Sequence, residues 1–232
     1  MERVLEPEWL DELPASDARA AGSRADLRRL NAILGHAGIL SRVLGRRLPP
    51  WGPPRIADLG AGDGRLLLAI ARRLQRPGFA TLVDLHPAVS ADTVAAYTRL
   101  GWSVSILSRD AHEFLARTRL AFDAVVANHF LHHFGQAPLE RLLAAALGRT
   151  GLFVACEPRR ARAALTASRL LWALGCNGVT RHDAVVSVRA GFRGGELSAA
   201  WPPGGKWWLE EREAGLFSHL FVAQRHGRLD PG

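Results

Sequence analysis

Arg55-Ile-Ala-Asp-Leu-Gly-Ala-Gly-Asp-Gly-Arg65 is the stretch that decides the fold. A short apolar run ends at Asp58, and glycines stand at positions 60, 62 and 64. A helical pattern follows at once through Leu66, Leu67, Leu68, Ile70, Ala71 and Leu74. Strand, glycine turn and helix in that order are the layout of a nucleotide-type cofactor site in an α/β fold. Glycine lets the backbone turn sharply and approach a ligand closely, because no Cβ stands in the way. A dinucleotide fingerprint needs G-x-G-x-x-G, and counted from Gly60 its third glycine falls at position 65, which is Arg. The pattern present is D-x-G-x-G-x-G, which disfavours a dehydrogenase.

Outward from this stretch the chain alternates regularly. Strands are expected at 55–60, 79–84, 103–107, 122–128 and 151–156. Helices fall between them at 65–75, from Pro87 to Leu100 with Gly101 as the stop, from Asp110 to Ala116, and at 137–148. Strands alternating with helices mean a parallel sheet with right-handed crossovers, and the apolar runs suit strands covered on both faces. Later in the chain, helices are expected at 159–174 and 183–191, and Glu196 to Trp201 reads as a strand. After Pro202-Pro203-Gly204-Gly205, Trp207-Trp208-Leu209 extends a hairpin arm whose last strand covers 216–223. The first 23 residues read as a short helical turn and a linker. Ser23 or Asp26 would cap a helix over 25–48 that Gly35, Gly38 and Gly45 weaken or split, before Pro49-Pro50 ends it.

In a doubly wound sheet, ligands lie outside the carboxyl ends of the strands. Successive strand ends offer Asp58 with the glycines, then Asp84, Asp110 and Asn128. A carboxylate offers two acceptor oxygens, which suits a pair of ribose hydroxyls. An Asp after a strand is also a common helix cap. Four suitable residues at four successive strand ends weigh against coincidence.

This set resembles the class I methyltransferases that depend on S-adenosylmethionine (SAM), clearly over residues 55–160 and loosely elsewhere. The resemblance implies a Rossmann-like α/β fold: a seven-stranded, mostly parallel sheet with helices on both faces, a terminal antiparallel hairpin and an N-terminal helical cap. It divides the chain into a cap or lid over 1–50 and a methyltransferase domain over 51–232, forming one compact unit. It implies SAM as cofactor, bound by Asp58, Gly60, Ala61, Gly62, Gly64, Asp84, Leu85, Asp110, Ala111, Asn128 and His129. Asp84 would take the ribose, Asp110 the adenine amino group and Asn128 the methionine end. Asn128-His-Phe-Leu-His-His-Phe134 is similar to the corresponding region of small-molecule methyltransferases. It lacks the (N/D)-P-P-(Y/F) of enzymes that methylate exocyclic amines.

Histidine titrates near neutral pH, so His132, His133 and His182 are the candidate general bases for a substrate hydroxyl. Arg181 is placed to hold an acidic or phenolate substrate. His36 and His219 read as structural or surface residues, His36 with the alternative of lining the pocket from the N-terminal lid. His129, His132 and His133 lie within five residues, but neighbours on a helix point apart and further ligands are not evident, so no metal is expected. Trp172, Trp201, Trp207 and Trp208 read as core and hairpin packing, or as walls of an apolar substrate pocket.

Composition bounds the rest. At 232 residues with 48% hydrophobic and 22% charged residues, the chain can bury a core of its own. No apolar run reaches the roughly 18 residues of a membrane span. The acidic start lacks a signal-peptide pattern, and Cys156 and Cys176 read as buried residues in a reduced cytoplasm. The net charge of +8 invites a nucleic-acid reading. All but one of the 30 basic residues are Arg, Lys206 being the exception, and they are dispersed without interleaved aromatics, so nucleic acid is not expected as the partner. The expected activity is methyl transfer to oxygen or carbon of a small aromatic, quinol or polyketide-like acceptor, by a monomer or a homodimer. An RNA or protein methyltransferase and a non-catalytic SAM-binding partner subunit are the alternatives.

Overall fold

The computed structural model describes residues 1–14, 17–204 and 207–226, without the side chain of Asp11. Gly205, Lys206 and the end of the expected 51–232 domain lie outside the described residues. Seven strands form one sheet in the order β3-β2-β1-β4-β5-β7-β6. They are β1 (Arg55–Leu59), β2 (Gly78–Asp84), β3 (Trp102–Ser108), β4 (Ala124–Asn128), β5 (Leu152–Pro158), β6 (Trp207–Ala214) and β7 (Ser218–Arg225). The first five are parallel, β7 runs antiparallel to β5, and β6 closes the edge antiparallel to β7. The chain reverses between β1 and β4, which opens a crevice at their carboxyl ends.

Strand alternation sends consecutive side chains to opposite faces. Ile56, Ala124 and Val126 therefore join one core cluster, with α3 (His36–Arg47), α4 (Arg65–Leu74) and α5 (Ala91–Arg99). Ala57, Leu59, Val125 and Ala127 join the other, with α6 (Ala111–Arg117), α7 (Gln136–Leu147) and α10 (Glu196–Ala200). Leu40, Leu44 and Leu48 are buried in the same cluster as Ile56, so α3 is part of the sheet's cover.

Short α1 (Trp9–Glu12) and long α2 (Ala18–Leu34) precede α3. The expected linker through residue 23 is instead the start of α2, capped by Asp17 and not by Ser23 or Asp26. Asp26 is buried and accepts from the Asn177 amide and the Thr180 hydroxyl, which ties α2 to α9 (Gly178–Ala190). Gly35 splits α2 from α3 with φ +69°, a conformation that favours glycine. The expected helix over 159–174 is α8 (Arg162–Arg169) followed by a 3-10 turn, Leu171–Leu174. Helix α9 starts five residues before the expected boundary at 183, capped by Asn177. Glu196 to Trp201 is helix α10 and not a strand: a short Leu-Ser-Ala-Ala run carries no decisive period, and an acidic first turn favours a helix start.

Candidate functional site

The glycine turn is held from several sides. The amides of Gly60 and Ala61 donate to the Val83 carbonyl, at 2.9 and 3.1 Å. The Ala88 amide donates to the Gly62 carbonyl at 2.9 Å, and the Tyr97 hydroxyl donates to the Gly64 carbonyl at 2.8 Å. Gly60 has φ +71°, and a Cβ there would run into the Phe130 ring. Gly62, with φ +54°, has nothing among the described residues within 4 Å of such a Cβ, so there its backbone can approach a ligand closely. From α2, Arg28 reaches Asp63 of the same turn at 3.4 Å.

The strand ends that the sequence singled out converge around this turn. Asp84 accepts from the Gly62 amide through Oδ2 and from the His86 amide through Oδ1. Leu85 beside it is 58% exposed. Asp110 caps α6 by accepting from the Glu113 amide, with Ala111 buried behind it. Asp58 is buried with Oδ2 unpartnered among the described residues, and so is Asn128 through Oδ1. Burial, with Asp84 and Asp63 nearby, pushes the Asp58 carboxyl up to about 8.

His129 follows Asn128 in a left-handed conformation, φ +50°, which is uncommon for a residue with a side chain. Its ring lies 4.8 Å from that of His36 and 6.1 Å from that of His132. His36 is fully buried, bonded through Nε2 to the Ser218 hydroxyl at 2.8 Å, with Nδ1 unpartnered among the described residues. Burial lowers both imidazoles, His36 to about 4 and His129 to about 3, so both are neutral.

His132 differs. It sits in a 3-10 turn, Leu131–His133, with Nδ1 2.9 Å from Glu157 Oε2 and Nε2 3.2 Å from Glu8 Oε1. Burial alone would lower it, but the hydrogen bonds and charges of Glu157 and Glu8 outweigh that and raise it to about 9. As expected for that pairing, Glu8 falls to about 2. Between two carboxylates, His132 holds its proton more tightly than a free imidazole, which weakens the expectation that it is the general base. Glu157 also accepts from the Phe130 and Leu131 amides, at 3.1 and 3.0 Å, and fixes the turn. His133 is exposed. Glu8, His132 and His133 hold one ligand-type atom each within 4.8 Å of one another.

His182 lies one turn inside α9, stacked on Trp9 with ring centroids 3.8 Å apart and bonded to Asp183. The structure thus places it against the N-terminal segment, and Arg181 is exposed. Asp183 accepts from the Trp9 and Leu10 amides at 2.8 and 3.0 Å. Arg3 donates to the carbonyls of Ala190, His132 and Phe134. The N-terminal segment is therefore bonded to α9 and to the turn after β4, through Arg3, Val4, Glu8, Trp9 and Leu10. Trp201 and Trp207 pack with each other beside Phe221, Trp208 lies under Arg47, and Trp172 is exposed. His219 is structural, bonded to Glu211 at 2.7 Å.

Glu157, Glu8 and Asp183 escaped the sequence reading. For Glu157 there was a signal, an acid at the end of the apolar run Leu152-Phe-Val-Ala-Cys156. For Glu8 there was none, since its partner lies 124 residues away.

Residues 56–149 match the family model described as a methyltransferase domain. No curated protein sequence matches the chain. Among solved structures it is similar to the plantazolicin methyltransferase BpumL in complex with SAH, at 12% identity over 91% of this chain and 92% of that one, TM-score 0.65. It is also similar to an O-methyltransferase family protein from Burkholderia thailandensis, at 22% identity over 90% of this chain and 59% of that one, TM-score 0.60. A third is the N,N-8-amino-8-demethyl-D-riboflavin dimethyltransferase RosA from Streptomyces davawensis, at 20% identity over 95% of this chain and 62% of that one, TM-score 0.60. The chain spans about three fifths of the length of these last two. At these identities the likeness is one of fold. Among the described residues no helix is long and apolar enough to cross a membrane.

Proposed function

We propose that this chain, a class I SAM-dependent methyltransferase, methylates an oxygen or carbon of a small aromatic, quinol or polyketide-like molecule. One observation supports a small acceptor: the chain's own N-terminal segment is bonded across α9 and the turn after β4 through Arg3, Glu8, Trp9 and Leu10, and in this reading it covers the acceptor side of the crevice. The similar structures whose names specify plantazolicin and a riboflavin derivative support a small-molecule acceptor; the second name places its methyl groups on nitrogen, so the choice of oxygen or carbon rests on the sequence resemblance alone.

The residues present fit the cofactor. Asp58 Oδ2 and Asn128 Oδ1 are buried acceptors lacking donors among the described residues, and the methionine end of SAM brings an ammonium. Gly60, Ala61, Gly62 and Gly64 would cradle it, Asp84 would take the ribose hydroxyls, and exposed Leu85 with Asp110 and Ala111 would face the adenine. When bound, SAM supplies a methyl group already activated by its sulfonium. The chain's part is then to orient the acceptor and keep water out, which is worth on the order of 7–11 kcal/mol in favourable cases. Phe130, His36 and His129 wall the place beside Asn128. The neutral imidazole of His129 is placed to accept a hydrogen bond from an acceptor hydroxyl, and its low basicity leaves orientation as the main contribution. We place the protein in a reducing cytoplasm, in keeping with its two free, buried cysteines.

The test is an acceptor panel of phenols, quinols and polyketide-like aromatics with methyl-labelled SAM, read by mass spectrometry of the products. Label appearing only on tRNA or on a peptide pool would overturn the small-molecule reading. A stoichiometric co-purifying partner with no turnover on any acceptor would point to a binding subunit.

A further inference from the structure

Glu8, His132 and His133 come from two segments far apart in sequence, yet one ligand-type atom of each lies within 4.8 Å of the others. His132 Nε2 and Glu8 Oε1 are 3.2 Å apart. That is close to the roughly 3.3 Å between two ligand atoms that both sit about 2.0 Å from one tetrahedral ion. Behind this pair the support that a metal site needs is in place. His132 Nδ1 faces Glu157 Oε2 at 2.9 Å, which fixes the ring and its tautomer and leaves Nε2 as the ligand atom. The Ser187 hydroxyl donates to the carboxylate of Glu8. Arg3 bonds to the His132 and Phe134 carbonyls and so pins the turn that carries both histidines. His132 is almost fully buried while His133 is exposed, giving an ion a dry ligand and a path in from solvent.

We propose that Glu8, His132 and His133 bind one divalent transition-metal ion of the zinc type, clasping the N-terminal segment to the turn after β4. Two imidazoles and a carboxylate suit borderline ions such as Zn²⁺, Co²⁺ or Ni²⁺ over Mg²⁺ and Ca²⁺, which prefer all-oxygen sites. The ion takes the place of the proton between His132 Nε2 and Glu8, and that proton leaves to solvent. Two carboxylates, Glu8 and Glu157, then balance its two positive charges. Three protein ligands leave a fourth position for water or for an oxygen of a bound molecule. The clasp links the N-terminal segment to an imidazole whose ring lies 6.1 Å from that of His129.

The test uses the full chain, stripped with a chelator and titrated with Co²⁺, whose d–d absorption reports an imidazole–carboxylate site directly and independently of turnover. One equivalent of Co²⁺ should give visible bands that Zn²⁺ abolishes. Glu8→Gln and His133→Ala should each weaken binding at least about 10-fold, and His226→Ala, on an exposed histidine outside the cluster, should not. His133 is exposed, and an unchanged far-UV circular dichroism spectrum and melting temperature of its variant keep the test decisive. Absence of the bands, or bands of unchanged affinity in both variants, overturns the proposal.

Discussion

The amide of Gly62 donates to Oδ2 of Asp84 over 2.8 Å, so the glycine turn itself aims the acid at the end of β2. With the His86 amide on Oδ1, two backbone donors orient this carboxylate before any ligand arrives. Replacing it by an amide removes a charge and turns one acceptor into a donor that faces an N–H. Asp84→Asn should raise the dissociation constant for SAM by about 10- to 100-fold, in line with the ~1.5–3 kcal/mol of a hydrogen bond to a charged group. Isothermal titration calorimetry reads this directly, with His226→Ala as the control. Unchanged affinity would remove Asp84 from the cofactor site.

Asp58 makes a prediction in pH. Its folded value, about 8, stands above the ordinary 3.8, so between these values the folded chain holds a proton that the unfolded chain has lost. The stability this contributes is full below about pH 4 and is lost as the pH rises through 8. Without SAM, the melting temperature relative to Asp58→Asn should therefore fall from pH 5 to pH 8. An ammonium beside the carboxyl favours its charged form, so SAM binding at pH 7 should release a proton. Calorimetry in buffers of different ionisation enthalpy measures that number, and a value of zero would place the ammonium elsewhere.

Glu157 is fully buried and accepts from the Phe130 and Leu131 amides as well as facing His132. Removing one member of a buried charged pair leaves the other without compensation, at a cost of about 3–5 kcal/mol. Glu157→Ala should lose stability on that scale by urea denaturation. Glu157→Gln should lose less, because an amide oxygen can still serve the two backbone donors. Equal losses would mean that the charge, and not the capping of the turn, carries the effect.

How much of this was legible in sequence follows the range of each interaction. The turn at Gly60, Gly62 and Gly64 and the acids at strand ends are local patterns with a fixed period, and β1 to β5 lie within two residues of their expected bounds. Residues 196–200 lacked such a period. Four or five apolar or small residues fit a strand and a helix equally, and the contact of the Leu197 amide with Glu211 that seats this helix is tertiary. The charge state of His132 was illegible for the same reason. It depends on Glu8 and Glu157, neither of them a sequence neighbour, and without them burial would make this histidine a neutral imidazole like His129.

The N-terminal segment, which we propose as a roof over the crevice, can be loosened without touching the glycine turn. Asp183 caps α1 by accepting from the Trp9 and Leu10 amides, and Trp9 stacks on His182. Loss of an N-cap costs about 1 kcal/mol, with a range of roughly 0.5–2. In Asp183→Ala the segment should lift more often while β1, β2 and the glycine turn stay as they are. The expected result is an unchanged dissociation constant for SAM together with a higher KM for the acceptor. Susceptibility to proteolysis should rise within the first 14 residues, because local opening exposes a segment held mainly by hydrogen bonds. If KM stays constant while the segment becomes cleavable, the roof covers the site without shaping it. If SAM affinity falls in parallel, residues 1–13 support the cofactor half of the crevice as well, and a division into lid and binding domain would not describe how this chain works.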